Sequence, residues 1–138
     1  MKERKNEIAV CKNCGKLFHP RYSSNGKFCS RTCSADFRAK EQYNNYIKHQ
    51  EEYQGVRNIK FIKRHLLKEQ DYNCSICGMP NTWNGKELVF ILDHIDGNAA
   101  NNYRSNLRLI CPNCDSQLET YKSKNKNSAR EYHRLNHR

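Results

Sequence analysis

The chain has 138 residues, 36% of them hydrophobic, with a mean hydropathy of -1.06 and a formal net charge of +11. A chain this short and polar suits one domain or two very small ones, and excludes a large apolar core that stands without staples. It also excludes a membrane-spanning helix, because its longest apolar run, Leu88 to Leu92, is far shorter than the roughly 20 residues a span needs.

No apolar segment follows the basic N-terminus, so no secretory signal is expected. A cytosolic chain keeps its thiols reduced, and the eight cysteines are then expected to hold zinc rather than form disulfides. The charge is uneven. Residues 1–40 carry +7, residues 41–115 carry zero and residues 116–138 carry +4. Basic ends around a neutral middle suit a phosphate polymer, whose binding is dominated by backbone electrostatics; a basic, well-solvated surface is the plainer alternative.

Residues 1–10 read as a basic arm. Cys11-x2-Cys14 follows, then a gap of fourteen residues and Cys29-x3-Cys33. Zinc takes four tetrahedral thiolate or imidazole ligands, and short Cys-x2-Cys turns supply two at once. The gap suits a hairpin with a turn at Asn25-Gly26. The second pair opens a helix. Residues 1–40 are therefore expected to form the arm and a zinc-ribbon or treble-clef-like module. His19 lies between the pairs, outside a site already filled by four cysteines.

Residues 36–54 read as a polar helix with Phe37, Tyr43, Tyr46, Ile47 and Tyr53 scattered along it. It is either a solvated spacer, the preferred reading, or a helix lying on DNA, and residues 41–55 are taken as a linker ended by Gly55. Residues 56–70 place Val56, Ile59, Ile62 and Leu66 at helical spacing, an amphipathic helix whose apolar face is core.

Cys74-x2-Cys77 and Gly78 form a second knuckle. Residues 79–86 read as a loop with a turn at Asn84-Gly85, residues 86–95 as a strand rich in β formers, and residues 97–104 as a polar, turn-rich stretch. Leu107 to Ile110 reads as a second strand. Cys111-Pro-Asn-Cys114 opens a helix over residues 115–125, with Pro112 near its start. The thirty-three-residue gap between Cys77 and Cys111 makes a second four-cysteine zinc site that clamps this helix to the start of the module. The tail, residues 126–138, is basic; Tyr121 and Tyr132 are placed for either stacking or packing. The fold class is a small, zinc-stabilised α+β protein with two structural Zn2+ sites.

The chemistry gathers between Leu92 and Gln117. Phosphodiester hydrolysis needs an activated water, a proton acceptor and a cation. His94 ends a strand, and a neutral imidazole near pH 7 suits a general base. Asp93 would face the other side of a regular strand; a bend at the strand end would turn it onto a cation. Asp115 offers a second oxygen, and hard oxygen ligands suit Mg2+ or Mn2+. Asn106 is placed to hold the His94 loop by hydrogen bonds, and Asp96 reads as the turn residue of Asp-Gly. Asn98, Asn101 and Asn102 read as loop formers first and DNA contacts second. Arg104, Arg108, Lys122 and Lys124 are the candidate DNA contacts.

Asp93-His94-Ile95-Asp96-Gly97, followed by Asn106-Leu-Arg-Leu-Ile-Cys111-Pro-Asn-Cys114 and flanked by Cys74 and Cys77, resembles the HNH endonucleases of ββα-metal type often encoded by phages and mobile introns. The resemblance covers residues 56–125, the expected nuclease domain. It implies His94 as general base, Asn106 as the residue fixing the loop, Asp93 as a ligand of the catalytic metal, and products with 5′-phosphate and 3′-hydroxyl ends. It also implies double-stranded DNA as partner and, for a phage-encoded chain, the bacterial cytoplasm as location. Asp115 stands where the family often has His, which favours a hard cation over Ni2+ or Zn2+ at that place. The rival reading is a non-catalytic, zinc-containing nucleic-acid-binding protein on an HNH scaffold.

Overall fold

The computed structural model describes residues 8–20, 26–130 and 134–135. The chain divides into two compact units, Met1–Asn45 and Tyr46–Arg138. Among the described residues no helix is long and apolar enough to cross a membrane.

In the first unit, β1 (Ala9–Val10) and β2 (Leu17–Phe18) pair antiparallel, Ala9 opposite Phe18 and Val10 opposite Leu17. Cys11 and Cys14 lie in the turn between them. The Cys11 amide donates to Lys16 O at 2.9 Å and the Gly15 amide donates to Cys11 O at 2.9 Å, with Gly15 at φ 71°. The left-handed geometry that closes the knuckle is strain-free only for glycine. The hairpin wraps the first cysteine pair; Asn25 of the turn expected in the following gap lies outside the described residues.

Helix α1 spans Arg31–Lys48. The Cys33 amide donates to Ser30 Oγ at 3.1 Å, a capping bond that satisfies one of the unpaired amides of the first turn. The expected continuous helix breaks at His49 (φ -130°), and Gln50–Tyr53 form a separate 3-10 turn.

The second unit begins inside α1, at Tyr46. Tyr46 is fully buried and meets Tyr53 and Phe61 edge-on, with ring centroids 5.4 and 6.0 Å away. Tyr46 is therefore core, while Ile47, Lys48, His49, Glu51 and Glu52 beside it stay exposed. Helix α2 (Lys60–Glu69) buries Ile62 and Leu66, with Ile59 just before it; Val56 stays exposed.

Strands β3 (Thr82–Trp83) and β4 (Lys86–Glu87) form a hairpin through Asn84 and Gly85, at φ 49° and 71°. Two consecutive positive φ values are the geometry that Asn-Gly favours between strands. The single strand expected over residues 86–95 is thus two. Its start pairs back with β3, while β5 (Ile91–His94) pairs with β6 (Leu107–Ile110). Between them Phe90 is buried and Val89 exposed. The core joins Ile62, Leu66, Phe90, Leu107, Leu109 and Ile110. At roughly 25 cal/mol per Å2 of apolar area, each such side chain contributes about 1.5–3 kcal/mol of burial.

Helix α3 is short, Pro112–Gln117, with Pro112 in its first turn and Cys111 Sγ accepting the Cys114 amide. The expected extension to residue 125 is absent, because the chain after Gln117 turns back over the Asp96-Gly97 turn. Asn125 Nδ2 donates to Gly97 O at 2.7 Å and Asn127 Nδ2 to Asp96 O at 3.2 Å. A Cβ on Gly97, itself at φ 76°, would lie 2.7 Å from Asn125 Oδ1 and 2.8 Å from Thr120 Cγ2, so this close return needs glycine.

Candidate metal and catalytic centre

All eight cysteines are free and fall into two sets, Cys11, Cys14, Cys29, Cys33 and Cys74, Cys77, Cys111, Cys114; within each set the sulfurs lie within 4.8 Å of one another. The separations are 3.6 Å for Cys14–Cys29, 3.5 Å for Cys29–Cys33 and 3.8 Å for Cys77–Cys111. A disulfide needs about 2.05 Å. Four thiolates around one Zn2+ at about 2.3 Å stand roughly 3.8 Å apart, so both sets fit zinc.

The thiols are electrostatically unlike. Burial raises Cys11, but the backbone amides of Cys29, Cys14 and Asn13 outweigh it and bring the thiol down to about 6. Cys29 is pushed up to about 12 by hydrogen bonds from Cys33, Cys14 and Cys11. The second set repeats the contrast. Burial raises Cys74 too, yet amides of Cys77, Cys111 and Ile76 bring it to about 6, while burial first and neighbouring thiols second push Cys114 to about 12. Four sulfurs packed this closely share protons until a dication replaces them.

Asp93 and His94 end β5, and the ladder stays regular to the His94–Leu107 pair, so their side chains leave opposite faces. Asp93 is 9% exposed, and its Oδ2 accepts Arg108 Nε at 2.7 Å from directly across the ladder. His94 Nε2 lies 2.9 Å from Asn102 Oδ1. Among the described residues, Asp93, His94 and Asp115 form no third group of ligand atoms like the cysteine sets. The bend expected to turn Asp93 onto a cation is not there: the Arg108 pair holds Asp93 on its regular face. Asp115 sits half-buried in the first turn of α3.

After His94 the chain turns at Asp96-Gly97. Asp96 Oδ1 accepts the Asn98 amide at 2.8 Å and Asn106 Nδ2 at 2.9 Å, and its Oδ2 accepts Asn101 Nδ2 at 2.6 Å. Asn106 Oδ1 accepts the Asp96 amide at 3.0 Å, and its Nδ2 also reaches Asn101 O. Burial raises the Asp96 carboxyl, but these donors and the nearby His94 outweigh it and hold it below the usual value.

The candidate DNA contacts divide. Arg104 is bound to Glu69 through Nε and Nη2, and its Nη1 donates to Leu107 O at 3.0 Å. Arg108 is committed to Asp93. Arg108 thus bridges the strand pair, and Arg104 ties it to α2. Lys122 lies 4.8 Å from the Tyr121 ring centre, and Lys124 is exposed.

Two features went unread in the sequence. Asn102, fully buried, looks like its neighbour Asn101 in a polar run, and nothing local distinguishes them. In the first unit, a cleft of 670 Å3 is lined by Lys12, Lys27, Arg31 and Arg38 together with Phe28 and Phe37. The Lys12 amide donates to Lys27 O at 3.0 Å, which sets two lysines side by side. Glu41 is the one acidic residue among the described lining residues.

A histidine at a strand end, a turn locked by Asp96 and Asn106, and two four-cysteine sets that could each hold zinc make up the candidate centre. Over 90 residues the chain is 36% identical to the H-N-H endonuclease F-TflIV of Escherichia phage T5, a match covering 61% of this chain and 39% of that relative. That likeness supports an HNH endonuclease family assignment. The chain spans well under half the relative's length. No family model and no solved structure matches it.

Proposed function

We propose that the protein is a metal-dependent DNA endonuclease with two structural zincs. The observation that carries this reading is His94. Its imidazole is held at Nε2, and Nδ1 has no hydrogen-bond partner among the described residues. A fixed neutral imidazole with one open nitrogen is suited to take a proton from water. Asn106 and Asp96 lock the turn that follows, so the imidazole is supported from the chain on both sides.

Asp115, and the Asp93 oxygen not engaged by Arg108, are the carboxylate donors assigned to a divalent cation, Mg2+ or Mn2+ in preference to softer metals. When bound, such an ion neutralises charge on the scissile phosphate and leaving oxygen. Products would carry 5′-phosphate and 3′-hydroxyl ends. Residues 56–125 are the nuclease module in this reading, and Cys74, Cys77, Cys111 and Cys114 hold its zinc. Residues 1–40, with zinc on Cys11, Cys14, Cys29 and Cys33, grip duplex DNA through the cleft of Lys12, Lys27, Arg31 and Arg38. Four cations with one carboxylate suit a phosphate backbone. Lys122 and Lys124 are further backbone contacts.

The Asp93–Arg108 pair favours the second reading, a non-catalytic binder, because it fills one oxygen of a proposed metal ligand. Cleavage of supercoiled plasmid with Mg2+ or Mn2+, by wild type and His94→Ala, separates the two. The nuclease nicks or linearises, and the variant loses about 10^2- to 10^4-fold in rate, the usual contribution of a general base, while still shifting DNA. The binder cuts under no cation, and both proteins shift DNA alike.

A further inference from the structure

We infer that Asn102 is the positioning residue of this centre: its buried amide fixes neutral His94 as the Nε2–H form and leaves Nδ1 as the proton-accepting atom. The catalytic consequence rests on the endonuclease reading; the protonation pattern does not.

An asparagine amide can turn either its oxygen or its nitrogen toward a neighbour, and the surrounding network decides which. Asn102 Nδ2 donates to Tyr53 O at 2.7 Å and to Val56 O at 2.9 Å. Both partners are carbonyls, which only accept. Reversing the amide would set its oxygen against two carbonyl oxygens and leave a fully buried group unsatisfied, an outcome native structures avoid. Oδ1 therefore faces His94 Nε2, 2.9 Å away. An acceptor opposite Nε2 requires a hydrogen there, and in neutral imidazole the lone pair is then on Nδ1.

Asn102 is itself held by the segment that leads into the second unit. Its amide donates to Gln54 Oε1 at 2.9 Å, and its carbonyl accepts Tyr46 Oη at 2.7 Å. On either side, the Gly55 amide donates to Ala100 O at 2.7 Å and the Arg104 amide to Gln50 Oε1 at 2.7 Å. Residues 46–56 thus form the outer support of the imidazole. They lie largely upstream of the residues that resemble a nuclease, which is why that stretch reads as a spacer.

The test is long-range 1H–15N NMR of the full-length, zinc-loaded protein with 15N-labelled histidine, at alkaline pH where imidazoles are neutral. His94 is assigned by the signal missing from His94→Ala. The expected result is a pyrrole-type Nε2 and a pyridine-type Nδ1; the opposite pattern, or an even mixture, overturns the inference. This measurement needs no folded Asn102 variant. Asn102→Ala, checked for its fold by circular dichroism, is then expected to mix the two forms and to lower single-turnover cleavage at least about tenfold, within the roughly 10^2–10^4 available from a general base, with DNA affinity unchanged. If the wild type shows the Nε2–H pattern and never cuts DNA, the endonuclease reading fails and the clamp stands. If it cuts DNA with hydrogen on Nδ1, the clamp fails and the endonuclease reading stands.

Discussion

Both units carry four clustered thiols, but they bury different amounts around them. Among the described residues of the first unit, Cys11 is the one buried core residue; the second unit buries Tyr46, Ile62, Leu66, Phe90, Leu107, Leu109 and Ile110 besides Cys74 and Cys111. The same ligand set therefore plays two parts. In the first unit zinc, if bound by these thiols, would stand in for a core, as in other domains too small to bury enough apolar surface. In the second it would anchor the start of α3 to a core that already exists.

The largest effect expected from this difference is on metal removal. Structural zinc contributes roughly 10–16 kcal/mol to such sites, far more than a domain without a core has in reserve. Cys11→Ser should abolish the dispersed amide NMR signals of residues 8–45 while leaving those of the second unit in place. Cys111→Ser should loosen α3 and the knuckle yet leave the α2 signals dispersed. Equal collapse in both variants would show that the two units depend on metal alike.

Next comes Leu109→Ala. Leu109 is fully buried on β6, and removing such a side chain costs about 2–5 kcal/mol. Thermal unfolding should show the loss in the second unit with no change in the first. Asp96→Asn is smaller, roughly 1–3 kcal/mol, because an amide offers one oxygen where three donors converge. Its sign with pH follows from the lowered Asp96 value. The carboxylate's contribution is complete above the ordinary Asp value of about 3.9 and fades as pH falls through the lowered folded value. The gap between wild type and variant, read by denaturant melts, should therefore narrow on acidification. Smallest is Glu69→Gln. Its bond to Arg104 is partly exposed, and such pairs are worth about 1 kcal/mol or less.

Much of the framework is legible in the sequence because it is local. Cysteine spacing marks both clusters, Asn84-Gly85 marks a two-residue turn, and Ile59, Ile62 and Leu66 mark the buried face of α2. The unread parts depend on partners distant along the chain. A continuous run of β formers from Leu88 to Leu92 does not reveal that the pairing changes partner within it, from β3 to β6. The early end of α3 is set by Asn125 and Asn127 reaching back to the carbonyls of Gly97 and Asp96. Tyr46 sits in a polar helix, and only its meeting with Tyr53, Phe61 and the Asn102 carbonyl makes it core. That the ladder register puts Asp93 opposite Arg108 is likewise a long-range fact.

The proposed function divides the labour, with most of the DNA affinity in the first unit and proton transfer at His94 in the second. The most direct test is single-turnover cleavage of duplex DNA against protein concentration, for wild type, Lys12→Gln/Lys27→Gln/Arg38→Gln and His94→Ala. The triple variant should need more protein to reach half-maximal rate but attain the wild-type maximum, whereas His94→Ala should saturate at the wild-type concentration with its maximum rate lost. A triple variant that loses its maximum rate, or a His94→Ala protein that retains it, would rule this division out.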